Sequence, residues 1–398
     1  MRPPVLIAAI SGRALAAAAR RAGYAPRVLD LFRDVDTRRL ADASRLVAGS
    51  IEQGFEAESL LARAGEIAPA DQAQPVALVC GAGFEDRPDL LGVLAKGRRY
   101  LGNSPAAIRA TKDPRAFFAL ADRLGIPHPE TRLTPPADLR GWLVKRVGAS
   151  GGWHIRPARG AERRSGCYFQ RFVAGRPVSA LFLADGTAAM VLGFSAQWPA
   201  EDVPGANYLF GGAVQPAAIP DAMAVAIEGH VNRLSAALGL VGLNSADLLV
   251  RDGGYDLIEV NPRPGATLDI HDPGGTTGLF ALHCRACEGD LPAAWRGPAT
   301  ARATTILYAP DLLYIPKAFD WPDWTHDLPQ GASVIDRGAP VCTVLADGPT
   351  AAEAERKARA RADAVLDRLR QDPRQRIGVI QPTIPAGDPD GGGLASRP

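Results

Sequence analysis

The first hundred residues contain short apolar runs separated by stretches with helical spacing. Residues 5–10, 28–32 and 75–80 predict buried strands, and the alanine-rich residues 13–22 predict a helix. Strands that alternate with helices are typical of a parallel sheet with both faces covered. We therefore expect an α/β domain here, and the Leu-Gly-Asn-Ser-Pro sequence at 101–105 predicts a junction with the next domain.

Ligands of such sheets usually bind at the carboxyl ends of the strands. Ser11 and Gly12 follow the first predicted strand, and Gly83 lies in the Gly-Ala-Gly sequence after the third. These residues are candidate substrate contacts, and ordinary turn formation is the alternative. Neither loop is a complete G-x-G-x-x-G that opens a helix, so the two loops give little support to a bound dinucleotide.

A hairpin is predicted at residues 247–261, where Asp-Gly-Gly joins two apolar runs. A loop at residues 252–254 would set three facing pairs. These pairs are Arg251 with Tyr255, Leu249 with Leu257, and Asp247 with Glu259. Because side chains alternate along a strand with period two, Asn261 shares the face of Glu259.

Asp247, Glu259 and Asn261 would then place three oxygen donors in one small area. Facing like charges destabilise a sheet unless a cation lies between them. Mg²⁺ usually takes one or two carboxylates and leaves its other positions to water and phosphate oxygens. The hairpin therefore predicts a magnesium site beside a nucleotide, and a surface hairpin with charged ends is the alternative.

A glycine-rich loop is predicted at residues 148–152, directly after the predicted strand 141–147 that contains Lys145. Such a loop between two strands can fold its backbone N–H groups over phosphates, and a lysine can contact phosphate as a point charge. It is not a Walker motif, because the lysine precedes the glycines. A glycine-rich hairpin with a solvated lysine is the alternative.

Composition and charge narrow the classes of partner. The chain has 398 residues, 46% of them hydrophobic, and a formal net charge of +2, so we expect small-molecule substrates and no nucleic acid. The apolar start ends too early for a signal peptide and no run is long enough to span a bilayer, so we expect a cytoplasmic protein with no membrane partner. Cys284 and Cys287 lie in a helix-like run, which disfavours a redox or zinc pair.

The order of these motifs resembles the ATP-grasp superfamily of carboxylate–amine ligases. Lys112 comes first, then Lys145 with its glycine loop, then Gln-Arg-Phe-Val-Ala-Gly-Arg-Pro-Val-Ser at 170–179, and finally the Asp247 to Asn261 hairpin. The resemblance covers roughly residues 100–300 and is based on four motifs in the right order. No single one of them is diagnostic.

The resemblance implies an α/β fold, α+β overall. A Rossmann-like parallel sheet would be followed by an ATP-grasp fold of two α+β subdomains and a small C-terminal element. The implied domains are 1–104 (α/β), 105–300 (ATP-grasp, with a lid at about 125–185), 301–380 (C-terminal α/β element) and 381–398 (disordered tail).

The resemblance also implies a role for each motif, with ATP and Mg²⁺ as cofactors. Lys112 and Lys145 would contact the phosphates, and Arg263 would meet the transferred phosphate and act in catalysis together with Lys145. The other implied contacts are Gly148, Ser150, Gly151 and Gly152 over the phosphates, Gln170, Arg171, Phe172 and Val173 at the adenine, Asp247, Glu259 and Asn261 on magnesium, and Gly265 and His271 at the substrate. Many family members have an acidic pair in place of Gln170-Arg171, so the ribose contact is left unassigned.

The implied activity is amide formation between a small carboxylate and an amine through an acylphosphate. Within the family the arrangement is similar to ligases found with one-carbon cofactor genes, including the tyramine–glutamate ligases of methanofuran-type biosynthesis, so glutamate is our expected carboxylate. A homodimer is one assembly we consider. The rival interpretations are a non-catalytic nucleotide-binding regulator and a nicotinamide-dependent dehydrogenase.

Overall fold

The computed structural model describes residues 2–70, 75–159, 165–275 and 277–376. The N-terminal strands form a parallel sheet in the order β3-β2-β1-β6-β7, which confirms the predicted α/β sheet. The strands of this sheet are β1 (Pro4–Ala8), β2 (Ala25–Asp30), β3 (Ala43–Leu46), β6 (Ala77–Cys80) and β7 (Arg99–Tyr100). Strands β4 (Gly49–Ser50) and β5 (Gly54–Phe55) form a separate small hairpin. The helices are α1 (Arg13–Arg21), α2 (Val35–Leu40), α3 (Ala57–Ile67) and α4 (Pro88–Ala95).

Some short strands of the first hundred residues were missed. Strand β3 and the small hairpin of β4 and β5 lie where only helix was predicted. Strand β3 has the sequence Ala-Ser-Arg-Leu, which has no apolar run to reveal it, and it is a strand because it pairs with β2 along the edge of the sheet.

Two helices and a small sheet follow the junction. The helices are α5 (Pro105–Lys112) and α6 (Pro114–Arg123), and the sheet contains β8 (Thr131–Arg132), β9 (Trp142–Arg146), β10 (Arg156–Pro157) and β11 (Cys167–Arg171) in the order β10-β9-β11-β8. Trp142, Val144 and Phe169 form its buried core. We call the described residues of this small sheet, 131–159 and 165–171, the lid.

An eight-stranded antiparallel sheet holds most of the remaining chain, in the order β16-β15-β12-β13-β14-β17-β21-β19. It continues across residue 300, and the predicted division there stays a prediction. Its strands are β12 (Arg176–Asp185), β13 (Ala189–Pro199), β14 (Phe210–Gln215), β15 (Val241–Arg251), β16 (Gly254–Asn261), β17 (Ala301–Tyr308), β19 (Thr325–His326) and β21 (Pro340–Gly348). Strands β18 (Leu313–Ile315) and β20 (Ser333–Ile335) pair in a separate two-stranded sheet.

Helices pack against this sheet. Helix α10 begins after the cap Thr350, whose hydroxyl accepts from the Glu353 N–H, and Cys284 lies within α9. The helices are α7 (Asp221–Leu238), α8 (Leu268–His271), α9 (Leu279–Ala286) and α10 (Ala351–Arg370), with a 3-10 turn at Pro373–Arg376. None of the helices described is both long and apolar enough to cross a bilayer. The predicted tail at 381–398 lies outside the described residues.

One buried residue fixes how the two sheets meet. Asn103 is 1% exposed. Its amide nitrogen donates to the carbonyls of Val241 and Pro262 and to Asn244 Oδ1, and its amide oxygen accepts from the Val241 N–H. These bonds connect the domain junction to the start of β15 and to the residue that follows β16, so they hold the junction against the base of the hairpin.

We predict that Asn103→Ala lowers the free energy of unfolding by about 2 to 4 kcal/mol, because several buried polar groups lose their partner at once. Urea denaturation followed by circular dichroism measures this change. Asn207→Ala, at an exposed asparagine, is the matched control and should change stability by less than about 0.5 kcal/mol. Equal stability of the two variants would contradict the bridging role.

Candidate functional site

The β15–β16 hairpin brings the predicted carboxylates together, by a register that differs from the predicted one. Arg251 pairs with Gly254 and Leu249 with Asp256, so the loop is shorter than expected and those two predicted pairs were wrong. A β-bulge shifts the register between Asp247 and Leu248. Asp247 therefore pairs with Glu259 after all, as predicted.

A tight turn and a β-bulge together set the pairing of this hairpin. Gly253 has φ +77°, the left-handed conformation that tight Asp-Gly turns require. Leu248 pairs with Leu257, whereas Asp247 pairs with Glu259, so Ile258 is the extra residue. The bulge thus places Glu259 opposite Asp247, and Asn261 opposite Ser245.

Lys112 lies among the predicted metal-binding groups. Its ammonium donates to Glu259 Oε2 at 3.0 Å and to Asn261 Oδ1 at 3.1 Å, and Asn261 Nδ2 donates to Asp247 Oδ2 at 2.9 Å. Asp247 Oδ1 is buried and has no hydrogen-bond partner among the described residues. Two carboxylates, one of them with an unpartnered oxygen, and an amide oxygen are a donor set that fits Mg²⁺.

The two carboxylates share their negative charge unequally. Burial and the charge of Glu259 raise the pKa of Asp247 to about 6. Burial opposes ionisation of Glu259 too, but the ammonium groups of Lys112 and Lys145 lower its pKa to about 2. Both carboxylates are therefore ionised at pH 7, and the two ammonium groups act mainly on Glu259.

Lys145 is a buried cation with little to neutralise it. Its side chain is 5% exposed, and its ammonium donates to Gln170 Oε1 at 2.6 Å, a neutral acceptor. Burial lowers its pKa to about 8, although Glu259 and Asp247 oppose this shift. A buried ammonium that donates to a neutral amide leaves room for an anion.

The side chains of the predicted adenine segment have different surroundings. Gln170 is 1% exposed, and its amide nitrogen donates to Thr131 Oγ1. It holds Lys145 rather than facing an open surface. Arg171 donates to the Arg140 carbonyl, and Phe172 is 51% exposed. The adenine contact predicted for Gln170, Arg171, Phe172 and Val173 stays a prediction.

The glycine loop packs tightly between two other parts of the chain. A Cβ on Gly152 would lie 1.7 Å from the Tyr208 carbonyl oxygen, and one on Gly148 would lie 2.6 Å from Asp86 Cα. The Gly151 carbonyl accepts from the Phe210 N–H. Gly152 and Gly148 also have positive φ, so only glycine fits these positions without displacing the loop. Ser150 lies in the same loop and is partly buried.

His154 extends the loop toward the carboxylates. Its Nδ1 is buried without a hydrogen-bond partner among the described residues. Burial lowers its pKa to about 4, and the charges of Glu259, Lys145 and Lys112 all act on it. The imidazole is therefore neutral at pH 7. The lid and the hairpin thus face one another.

Arg263 is anchored by a residue that the sequence did not reveal. Its Nε donates to Glu85 Oε1 at 2.6 Å, and Glu85, 6% exposed, also accepts from the N–H groups of Gly83 and Phe84. Burial opposes the charge of Glu85, but Arg263 and Lys112 lower its pKa. A Cβ on Gly265 would lie 3.3 Å from the Arg263 guanidinium.

The other predicted substrate residues lie apart from this group. His271 is 2% exposed, and its Nε2 lies 2.6 Å from Ser195 Oγ, as in a satisfied core histidine. Ser11 donates to Asp327, and the Gly12 N–H donates to Asp30. Carboxylates therefore surround the start of α1, which disfavours a dinucleotide phosphate there.

Comparison with known proteins agrees with this geometry. A family model described as an ATP-grasp domain matches residues 115–267. The chain contains an ATP-grasp domain. The predicted resemblance is therefore confirmed, and the lid, the glycine loop and the β15–β16 hairpin all lie within this match.

The curated relatives share this domain over a limited part of their length. Carbamoyl phosphate synthase large chains of Thermus thermophilus and Gemmatimonas aurantiaca are 29% and 28% identical over 206 and 200 residues. Each alignment covers 44% of this chain, but only 19% and 18% of the relative. The chain thus spans less than a fifth of each relative's length.

Solved structures match almost the whole chain. The biotin carboxylase domain of Hydrogenobacter thermophilus 2-oxoglutarate carboxylase has a TM-score of 0.68 at 14% identity and covers 90% of this chain and 89% of its own. N5-carboxyaminoimidazole ribonucleotide synthetase from Thermotoga maritima has a TM-score of 0.63 at 14% identity and covers 91% and 98%. At these identities the likeness establishes the fold.

We predict that Gly152→Ala separates the glycine loop from the Tyr208 segment, because of the clash with the Tyr208 carbonyl. Hydrogen–deuterium exchange at the Phe210 N–H should become at least about tenfold faster, as expected when a bond's local opening becomes easier by about 1.4 kcal/mol. Gly166→Ala is the matched control, since Gly166 has φ +76° and no atom of the described residues within 4 Å of its Cβ position. If the Phe210 N–H exchanges equally fast in both variants, the strain of an alanine at positive φ, rather than the clash with Tyr208, explains the faster exchange.

Proposed function

We propose that this protein is an ATP-dependent ligase that uses Mg²⁺ and joins a small carboxylate to an amine. The observation that carries the proposal is the Lys145 ammonium, which is buried beside the Asp247–Glu259 pair with a neutral hydrogen-bond partner. A buried cation next to a carboxylate pair is the arrangement that a metal-bound polyphosphate needs. The ATP-grasp domain and the similarity to the Hydrogenobacter structure, which is a complex with MgADP, support this assignment.

Asp247, Glu259 and Asn261 are the proposed magnesium ligands. When bound, the metal would neutralise phosphate charge. Lys112 and Lys145 are proposed to hold the nucleotide phosphates, and residues 148–152 to cover them from the lid. We also propose that Gln170, Arg171, Phe172 and Val173 border the adenine. The functional units are proposed to follow the divisions at 104, 300 and 380.

The reaction we propose has two steps. A carboxylate oxygen of the substrate attacks the γ-phosphorus, and the bond to the ADP oxygen breaks, which gives an acylphosphate and ADP. The amine nitrogen then attacks the acyl carbon, phosphate leaves, and the nitrogen loses a proton. Phosphoryl transfer depends mainly on positioning and charge stabilisation, which Lys145 and Arg263 are placed to supply.

Glu85 positions Arg263 in this scheme. Its carboxylate fixes the guanidinium through the Nε bond and leaves other N–H donors of Arg263 available to a phosphate oxygen. The pair also connects the loop after β6 to the segment after β16, so the N-terminal sheet contributes to the phosphate site.

A narrower proposal concerns the substrates. The order of motifs, similar to that of the tyramine–glutamate ligases, supports glutamate as the carboxylate and a role in one-carbon cofactor (methylofuran-type) biosynthesis. Incubation with ATP, magnesium, glutamate and tyramine, followed by mass spectrometry, should reveal the amide. Mass photometry tests the homodimer that we include in this proposal.

Glu259→Gln is predicted to abolish ATP turnover, because the neutral amide removes a proposed metal ligand. ADP release with a mixture of amino acids and amines should fall by at least about 100-fold, since even changes behind the ligands of metal sites cost 10- to 100-fold. Glu228→Gln, at an exposed position on α7, is the control and should be fully active. Unchanged activity in Glu259→Gln would remove the metal site. A wild-type protein that binds ATP without turnover would favour the regulatory interpretation.

Lys145→Ala should weaken nucleotide binding by about 10- to 100-fold, the range expected for losing a hydrogen bond from a charged group to a phosphate. Isothermal titration with MgADP measures the dissociation constant directly. The exposed Lys96 provides the control variant Lys96→Ala, which should bind as the wild type does. Equal affinity in all three proteins would show that Lys145 does not contact the nucleotide.

A further inference from the structure

One buried nitrogen of the lid has no part in the proposed reaction. His154 comes just after the glycine loop, and its Nδ1 is buried without a hydrogen-bond partner among the described residues. The more deeply buried His271 and His283 both have partners, since His271 Nε2 lies 2.6 Å from Ser195 Oγ and His283 Nδ1 accepts from the Leu243 N–H. A buried ring nitrogen without a partner is costly, so its retention requires an explanation.

The backbone fixes the position of His154. The Ile155 N–H donates to the Gly152 carbonyl at 3.1 Å, so residues 152–155 form a turn with His154 in its second half. Gly152 itself packs against the Tyr208 carbonyl, in the connection between β13 and β14. His154 therefore keeps its place only while the glycine loop stays packed.

A neighbouring aromatic ring limits the orientation of the imidazole. The rings of Trp153 and His154 lie 5.8 Å apart at 80°, an edge-to-face contact. The guanidinium of Arg146 covers Trp153 at 4.7 Å from the ring centroid, and its Nη2 donates to the Glu52 carbonyl in the turn between β4 and β5. The imidazole is thus supported through Trp153 and Arg146 by the N-terminal part of the chain.

Strand pairing places His154 at the base of the loop that is proposed to cover the phosphates. Arg156 on β10 pairs with Val144 on β9, so residues 145–155 form one closed loop between these strands. Lys145 leaves the pairing on one side of that loop, and His154 approaches it on the other. The unpartnered nitrogen and a proposed phosphate contact therefore belong to the same short loop.

The charges around His154 come from both halves of the candidate site. Burial lowers its pKa to about 4, and Glu259 on the hairpin opposes this shift. The cations Lys145, Lys112 and Arg146 add to it. The imidazole is therefore neutral at pH 7, with a proton on one nitrogen and a lone pair on the other.

We propose that His154 is a further contact of the nucleotide polyphosphate, with its Nδ1–H donating to a phosphate oxygen. This inference rests on the proposed ligase function, because it needs the nucleotide to lie under the lid. A polyphosphate offers only acceptors, so the ring nitrogen that faces it must carry the proton. Lys112 and Lys145 supply the charge, and the imidazole adds a directional bond without a further buried cation.

Binding of MgADP to full-length variants tests the contact. Asparagine places an amide N–H near the position of Nδ1, whereas glutamine places one near that of Nε2. His154→Gln should therefore weaken MgADP binding about tenfold in isothermal titration, the loss expected for a hydrogen bond to a charged group. His154→Asn should stay within about threefold of the wild type. His230→Gln, at a histidine on α7 that bonds to Tyr255, is the control and should bind as the wild type does.

A spectroscopic test examines the ring directly in the wild-type protein. Protein labelled with ¹⁵N in its histidine rings is titrated with MgADP, and the His154 signals are identified by their loss in His154→Asn. In the complex, Nδ1 should give the signal of a protonated nitrogen and Nε2 that of an unprotonated one, and the Nδ1 signal should shift as MgADP binds. The signals of His230 should not move.

The outcomes are distinct. Equal MgADP affinity in the wild type, His154→Asn and His154→Gln would overturn the contact and leave nucleotide binding intact. Equal losses in both variants, or an unprotonated Nδ1 in the complex, would make the ring a structural support of the lid and overturn the contact too. If His154→Gln does not fold, the protonation of Nδ1 in the wild-type complex decides alone. If affinity follows the expected order while no mixture of amino acids and amines leads to ADP release, the contact stands and the ligase proposal fails.

Discussion

Two carboxylates face each other across a pair of strands, and the candidate site is built around that unfavourable contact. Asp247 and Glu259 are paired on β15 and β16, where like charges destabilise a sheet. The ammonium of Lys112, which donates to Glu259 and Asn261, partly offsets this repulsion. Asp247 keeps one oxygen without a partner among the described residues. Lys112 therefore leaves part of the carboxylate pair without a partner, as a binding site for a further cation requires.

The opposite problem occurs on the lid. Lys145 is a buried cation, and Gln170 holds it by a neutral amide oxygen. An acidic residue in place of Gln170 would satisfy the ammonium within the protein. The amide instead orients Lys145 and leaves its charge available, so we interpret Gln170 as the reason that this lysine can serve an anion. The carboxylate pair and the lysine are each incomplete alone, and a metal–polyphosphate complex has the charges to complete both.

The sequence predicted the local parts of this arrangement better than the long-range ones. Period-two alternation and the Asp-Gly turn were enough to place Asp247 opposite Glu259, although the shorter loop and the bulge at Ile258 were not foreseen and happen to offset each other. Glu85 was missed because its role depends on Arg263, 178 residues later, and no pattern in either segment points to the other. The edge strand β3 was missed because its pairing with β2, not its own composition, makes it a strand.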